Sequence, residues 1–309
     1  MEEKKKNTIL IKKLAFSHGF EDVGIAKVER LTEEEQRLRK WLDNGYHASM
    51  SYMEQHFDKR LDPALLVPDA KSVISLLYNY HTEKSQVPDT YKVSKYAYGR
   101  DYHKVLKKKL FKILDEIMLN TDCVNARVFV DSAPVMEKTW AMKSGLGWIG
   151  KNTLLINPKK GSYYFLAEII LDIELEYDAP ISGHCGTCTR CIEACPTGAI
   201  ASEGYSLDAS KCISFLTIEN KEAIPDEFDG KMSDFIFGCD ICQQVCPWNR
   251  FAHTHNEPDF EPKEEFLALD KKDWQNLSEE QYKELFYGNP IARAKYQGLK
   301  RNIQFISKR

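Results

Sequence analysis

CGTCTRCIEACP (residues 185–196) and CDICQQVCP (residues 239–247) decide how this chain is read. The first run is C-x2-C-x2-C-x3-C-P; the second is C-x2-C-x3-C-P, with Cys212 available upstream. Together they form the bacterial ferredoxin arrangement for two 4Fe–4S clusters. Four thiolates must point at one cubane from a short stretch of chain. Two-residue gaps let a loop wrap the cluster, and the three-residue gap lets the fourth thiolate swing to the other cluster. The pattern predicts that Cys185, Cys188, Cys191 and Cys246 hold one cluster, and Cys195, Cys212, Cys239 and Cys242 the other. The prolines after Cys195 and Cys246 lack an N–H and end the local turn or helix. Electrons therefore pass through this protein singly, and its work is redox work.

Zinc could use similar residues, but its sites pair C-x2-C knuckles and seldom show C-x2-C-x2-C-x3-C-P. Disulfides need an oxidising compartment, and the opening MEEKKKNTILIKK lacks the form of a secretion signal or a twin-arginine pair. Cys123 lies outside the pattern and reads as an ordinary buried thiol. At 309 residues the chain has room for two or three domains. Its 43% hydrophobic content supports a core, and a net charge of −3 gives no global basic field. A nucleic-acid partner would need a local patch. No apolar run reaches membrane-spanning length, so a cytoplasmic protein without a membrane partner is expected.

Residues 7–18 read as an amphipathic helix closed by Gly19, and residues 23–28 as a strand. Thr32 with Glu35 reads as a capping box for a helix reaching about Asn44. SVISLLY (72–78) is a continuous apolar run that predicts a buried strand. Asp101 can cap a long helix with Leu106, Leu110, Ile113, Leu114 and Ile117 on one face. A strand at 127–130, a helix at 134–144 closed by Gly145, and strands at 153–156 and 164–173 follow. This interleaving argues for an α+β or α/β domain with a central sheet over 1–178. Residues 179–252 form a loop-rich ferredoxin-like double-cluster domain. A linker and a short helical C-terminal segment occupy 253–309, with a capping box at Ser278 and Gln281.

Three stretches outside the cysteines could carry chemistry. Asp131 ends the strand RVFVD where ligands often bind, although a helix-entry cap weighs more from spacing alone. Gly145, Gly147 and Gly150 imply unusual backbone angles or close approach. They follow a predicted helix, the reverse of a dinucleotide fingerprint, so a glycine-lined shelf for a large flat cofactor fits better. Tyr96, Tyr98, Arg100 and His103 cluster before the long helix and could line a site for an anionic aromatic substrate. Lys107–Lys109 and Lys159–Lys160 read as solvated faces.

VDSAPVMEKTWAMKSGLGWIGKNTLLINPKKGSYYFLAEI (130–169), CPTGAI and CPWN resemble the epoxyqueuosine reductase family. KYAYGRDYHKVLKKKL (95–110) and GNPIARAKYQGLKRNI (288–303) match it too, so the likeness covers nearly the whole chain. The resemblance implies a nitroreductase-like α/β cobalamin-binding domain followed by the double-cluster domain. It implies the last step of queuosine biosynthesis, reduction of epoxyqueuosine at the wobble position of tRNA. The partners would be tRNAs with a queuosine-type anticodon (Asp, Asn, His and Tyr acceptors) and an external low-potential electron donor. Family members often carry a HEAT-like helical extension, expected here to be absent or very short.

By the same resemblance, cobalt reduced to Co(I) supplies a centre that no side chain offers, and Asp131 is the acid for the leaving oxygen. Its pKa is expected to be raised by burial beside an apolar cofactor. Asp101-Tyr102-His103 lacks the glycine of D-x-H-x-x-G, so base-off cobalamin without a histidine ligand is expected. Arg60, Tyr96, Lys143, Gly147, Trp148, Gly150, Lys151 and Asn152 are candidate cofactor contacts. Tyr98, Arg100, His103, Lys300 and Arg301 are candidate substrate contacts, with Lys308 and Arg309 also near the stem. A monomer is expected. Competing readings are a cobalamin reductive dehalogenase, a non-catalytic ferredoxin-type carrier and a zinc-stabilised RNA-binding module.

Overall fold

The apolar run at 72–78 becomes strand β2 (Ser72–Asn79), with every residue buried. The computed structural model describes residues 2–308. The remaining strands are β1 (Asp22–Lys27), β3 (Lys92–Val93), β4 (Ala126–Phe129), β5 (Trp148–Ile149), β6 (Leu155–Ile156), β7 (Tyr164–Leu171) and β8 (Phe235–Phe237). A four-stranded sheet runs β1-β2-β7-β4, antiparallel throughout, with Ser75 opposite both Gly24 and Glu168. Burial on both faces explains why β2 reads as an unbroken apolar run rather than an alternating one.

Helices α1 (Glu2–Ser17) and α4 (Tyr102–Asn120) cover one face. There Ile11, Leu14, Leu106, Leu110 and Ile113 pack on Ile74, Leu76, Ala167 and Ile169. The apolar spacing of α4 and its Asp101 cap, which accepts from the His103 N–H, are as the sequence predicts. Helices α2 (Thr32–Asp43), α3 (Phe57–Leu61) and α5 (Glu137–Lys143) follow the chain around the sheet. On the second face, Trp140 of α5 meets Ala26, Val73, Phe129 and Ile170. The expected capping box at Thr32 does not form: Leu31 occupies the cap position, and Glu35 turns to Arg30 and Arg39.

A second body carries the cysteine loops and short helices. These are α6 (Arg190–Glu193), α7 (Ile213–Ile218), α8 (Ile241–Gln244), α9 (Glu264–Leu267), α10 (Lys271–Asn276), α11 (Glu279–Leu285) and α12 (Lys295–Ile306). The capping box of α11 forms between Ser278 and Gln281. The core of this body draws on Tyr91, Val93, Ala97 and Tyr98 as well as Phe237, Trp274, Leu299 and Ile303. Strand β3 pairs in parallel with β8, a two-residue pairing too short to leave a periodic signal. A segment between β2 and α4 thus crosses over to pack with the C-terminal helices. Among the described residues no helix is long and apolar enough to cross a membrane.

Glycine fixes how α5 lies on the sheet. A Cβ at Gly24 would stand 2.2 Å from the Ser144 carbonyl oxygen at the end of α5. Gly24→Ala should therefore lower the unfolding free energy by about 1–3 kcal/mol. Gly298, within α12, has only the Ala294 side chain at 3.6 Å; Gly298→Ala should raise it by about 0.5–1 kcal/mol. Urea unfolding of both variants checks the pair, and equal effects would contradict the packing.

Candidate active site and cluster centre

Asp131 follows β4 with φ +54°, a left-handed backbone in a non-glycine residue. Its N–H donates to Glu137 Oε1 at 2.5 Å, which ties the loop to the first residue of α5. Tyr102 Oη donates to Asp131 Oδ2 at 2.5 Å, and His103 Nε2 lies 3.3 Å from the same oxygen. The other ring nitrogen of His103 is 2.7 Å from Asp101 Oδ1. The Tyr102 ring stacks on Phe165 of β7 at 4.0 Å. The start of α4 therefore presents a phenol and an imidazole to an acid at the end of β4.

Charge balance follows from this geometry. Burial works against a charged His103, but its contacts with Asp101 and Asp131 outweigh it and push the pKa up to about 9. Burial likewise favours protonated Asp131, yet hydrogen bonds from His103 and Tyr102, with the charges of His103 and Arg293, hold its carboxyl below the usual range. The sequence predicts a raised Asp131; in the protein by itself the balance is the reverse, because the imidazolium is its direct neighbour. The proton of the pair resides on His103.

Asp131 is 59% accessible, and Lys138 on α5 is exposed. Even so, the surrounding protein opposes charge on both. Lys138 Nζ donates to the Thr153 carbonyl at 2.8 Å and feels Asp131, Glu137 and Cys242 together. Tyr52, Glu219 and Arg293 also face this region, with Glu219 and Arg293 joined at 2.5 Å. Tyr96 is desolvated and feels the Asp131 charge. Arg60 donates to the Tyr52 carbonyl at 2.6 Å, while its buried Nε has no partner. Of these neighbours the sequence singled out Arg60 and Tyr96. Glu137 and Lys138 lay in plain view as a charged pair opening a predicted helix; Tyr52, Glu219 and Arg293 come from distant segments and left no local signal.

The eight cysteines are free and half-buried. Cys191 and Cys246 feel Cys185 and Cys188; Cys212 and Cys239 feel Cys195, and Cys242 feels Cys239, Cys212 and Cys195 but also Cys191. The two cysteine runs therefore meet at Cys191 and Cys242. Burial, with thiolate neighbours, raises Cys191, Cys212, Cys242 and Cys246 and pushes Cys239 up to about 12. Quartets of thiolates so placed call for a cationic core, which iron provides and which would keep the thiols deprotonated. Among the described residues no three His, Cys, Asp or Glu side chains close around a single metal ion.

Several expected contacts are corrected. Tyr98 is buried against Phe266 in the second core, not open to a substrate. Arg100 is ion-paired with Asp259 at 2.9 Å, and Lys143 with Glu29 at 2.6 Å. At Gly147 and Gly150 the close approach is to their own hairpin: a Cβ at either would meet Ile156 at 2.3 and 2.4 Å. Trp148 is buried against Trp248, and Lys151 donates to the Gly186 and Cys188 carbonyls. Asn152 donates to the Cys242 carbonyl. The hairpin braces the cluster loops. Arg301 is spent on the carbonyls of Leu216, Asn220 and Glu222, and Lys300 on that of Gln275. Lys308 lies over Phe305, and Arg309 is outside the described residues.

The fold and site define a redox protein in which an acid at a sheet edge stands beside two iron–sulfur clusters. A 4Fe–4S double cluster binding domain matches residues 184–249, and the model for epoxyqueuosine reductase QueG, DUF1730, matches residues 60–132. An epoxyqueuosine reductase from Cellulophaga algicola is 55% identical over 99% of this chain and 100% of its own length. A crystal structure of epoxyqueuosine reductase with an epoxyqueuosine-modified tRNA-Tyr stem loop superposes with a TM-score of 0.89 at 32% identity, covering 96% of this chain and 79% of that one. A Bacillus subtilis epoxyqueuosine reductase with its catalytic loop swung out of the active site gives 0.84 at 31% identity, with coverages of 96% and 79%. The chain belongs to the epoxyqueuosine reductase family.

Two outcomes follow from this geometry. Cys246→Ser should remove one cluster and spare the other, so iron falls from about eight to about four per chain; loss of all iron with a folded protein would contradict the ligand sets expected from spacing. The His103 contacts add stability that is fully present below its ordinary value of 6.5 and is lost as pH rises through about 9. The gap in unfolding midpoint between wild type and His103→Asn should shrink across that window, as a pH series of thermal melts would show.

Proposed function

We propose that this chain reduces the epoxide of epoxyqueuosine at the tRNA wobble position to queuosine, with Asp131 as proton donor to the leaving oxygen. The observation that carries this is the convergence of Asp131, Tyr102 and His103, with Lys138 near enough to feel both Asp131 and Cys242. Residues 1–178 are assigned as a nitroreductase-like catalytic domain. Residues 179–252 are assigned to the clusters, and 253–309 as a linker and helical segment that completes their core. A cytoplasmic monomer fed by a low-potential donor completes the assignment.

Cobalamin, when bound, supplies a low-valent cobalt that acts as reductant or nucleophile toward the epoxide. The residues near Asp131 fit such a group: Arg60 offers a buried, unpartnered N–H, and Tyr96 a desolvated ring. Both nitrogens of His103 are engaged by carboxylates, which supports base-off binding without a histidine ligand. The protein's own part is positional and protic. Tyr102 and His103 orient one carboxylate oxygen of Asp131, and His103 holds the proton that Asp131 passes to the opening epoxide. An apolar cofactor over the carboxylate would raise its proton affinity. The wobble base of an anticodon loop is single-stranded, so turning it toward Asp131 costs little unpairing.

Asp131→Asn keeps the shape and removes the proton donor. Turnover should fall by roughly 10²–10⁴-fold, with iron and cobalt contents unchanged. Single-turnover assays on modified tRNA with metal analysis read both quantities; full activity would remove Asp131 from this role.

A further inference from the structure

Glu168 is the most anomalous side chain in the sheet. It sits mid-strand in β7, opposite Ser75 of β2 and Phe129 of β4, and is 0% exposed. Its neighbours along that face, Leu166 and Ile170, are apolar. Neither carboxylate oxygen has a donor, and the facing Ser75 hydroxyl is also unpartnered. A bare carboxylate in such a place costs several kcal/mol. The carboxyl of Glu137, arriving from α5, reaches it as a hydrogen-bonding partner. Two ionised carboxylates have no proton to share and would repel. One proton between them satisfies both, as in other close carboxyl pairs.

Glu137 is also the acceptor that holds the Asp131 N–H. We propose that Glu137 and Glu168 share a single proton beneath the catalytic loop, and that Glu137, so neutralised, is the positioning residue that fixes Asp131 in its left-handed conformation. Burial raises both glutamates, and each raises the other. The titratable groups facing the pair are Asp131 on the loop, His103 and the neutral Tyr102 on α4, and the neighbouring Lys138 on α5; Asp131 favours the shared proton and His103 opposes it. Ser75 faces it from β2 and is uncharged. Loss of the proton would gather three carboxylates, Asp131, Glu137 and Glu168. Glu168 is in the sheet and Glu137 in a helix, so Asp131, on the loop, is the one free to leave. The pair therefore makes loop position depend on protonation.

Calling the loop catalytic rests on the proposed function, but the test needs neither substrate nor turnover. Infrared spectra of the cluster-loaded protein should show a protonated-carboxyl band at neutral pH. It should titrate above the ordinary carboxylate range and be absent from the isosteric Glu168→Gln. Hydrogen exchange at the Asp131 amide should quicken by about tenfold or more in Glu137→Ala. It should stay slow in Glu137→Gln, whose carbonyl still accepts. In wild type that amide should lose protection as the band titrates out, and in Glu168→Gln it should not. An infrared band unchanged in Glu168→Gln overturns the shared proton. An Asp131 amide equally protected in Glu137→Ala overturns the positioning role. Should Glu137→Ala not fold, the Glu168→Gln band and its exchange profile decide alone.

Discussion

Four thiolates cannot face one another in a half-buried space without positive charge among them. That repulsion governs the second body. Its cysteine loops have little regular structure of their own, so neighbours hold them. Lys151 braces the first loop through the Gly186 and Cys188 carbonyls, and Asn152 reaches the Cys242 carbonyl. Asn249 and Gln243, flanking Cys246, bind Ser162 just before β7. Asp240, beside Cys239, accepts from the Lys95 N–H and the Ser94 hydroxyl. Each tie runs from a cluster loop to a chain segment outside it, so the clusters are held in register with the sheet.

The same need for charge balance recurs at the other end of the site. Asp131 has an imidazolium on one side and the half-buried Glu137 on the other. Lys138 feels both that acid and Cys242, a thiol of the expected second ligand set. Charge added at either one therefore acts on the same cation. Mutual stabilisation through a common charge is short-ranged in water but persists where the surrounding protein has removed it.

The parts of this arrangement that depend on local pattern were legible in the sequence. Cysteine spacing gave the double-cluster domain, because the ferredoxin loop is a local device. The run at 72–78 gave β2, and Asp101 gave the start of α4. Residue type misled where a partner lay far along the chain. Arg301 and Lys300 looked like free cations, yet each reaches backbone carbonyls of other elements. Tyr98 looked like a polar aromatic at a site and is core, because Phe266 covers it. Gly147 and Gly150 do mark close approach, but to their own hairpin. Glu168 was unreadable: within FLAEII nothing signals that its carboxyl meets another from α5.

The order of the strands along the chain has a consequence for how the molecule comes into being. The sheet is complete at Leu171, and the first cluster cysteine is Cys185. On a ribosome, every strand of the sheet emerges before any thiol that iron requires, and domains fold as units in that order. The crossing segment around β3 must then wait, its Tyr91 and Val93 unburied until β8 and α12 are made. Cluster insertion therefore acts on a chain whose first half is already shaped, and failure of iron delivery would leave the sheet standing with an exposed aromatic strip for chaperones and proteases to find.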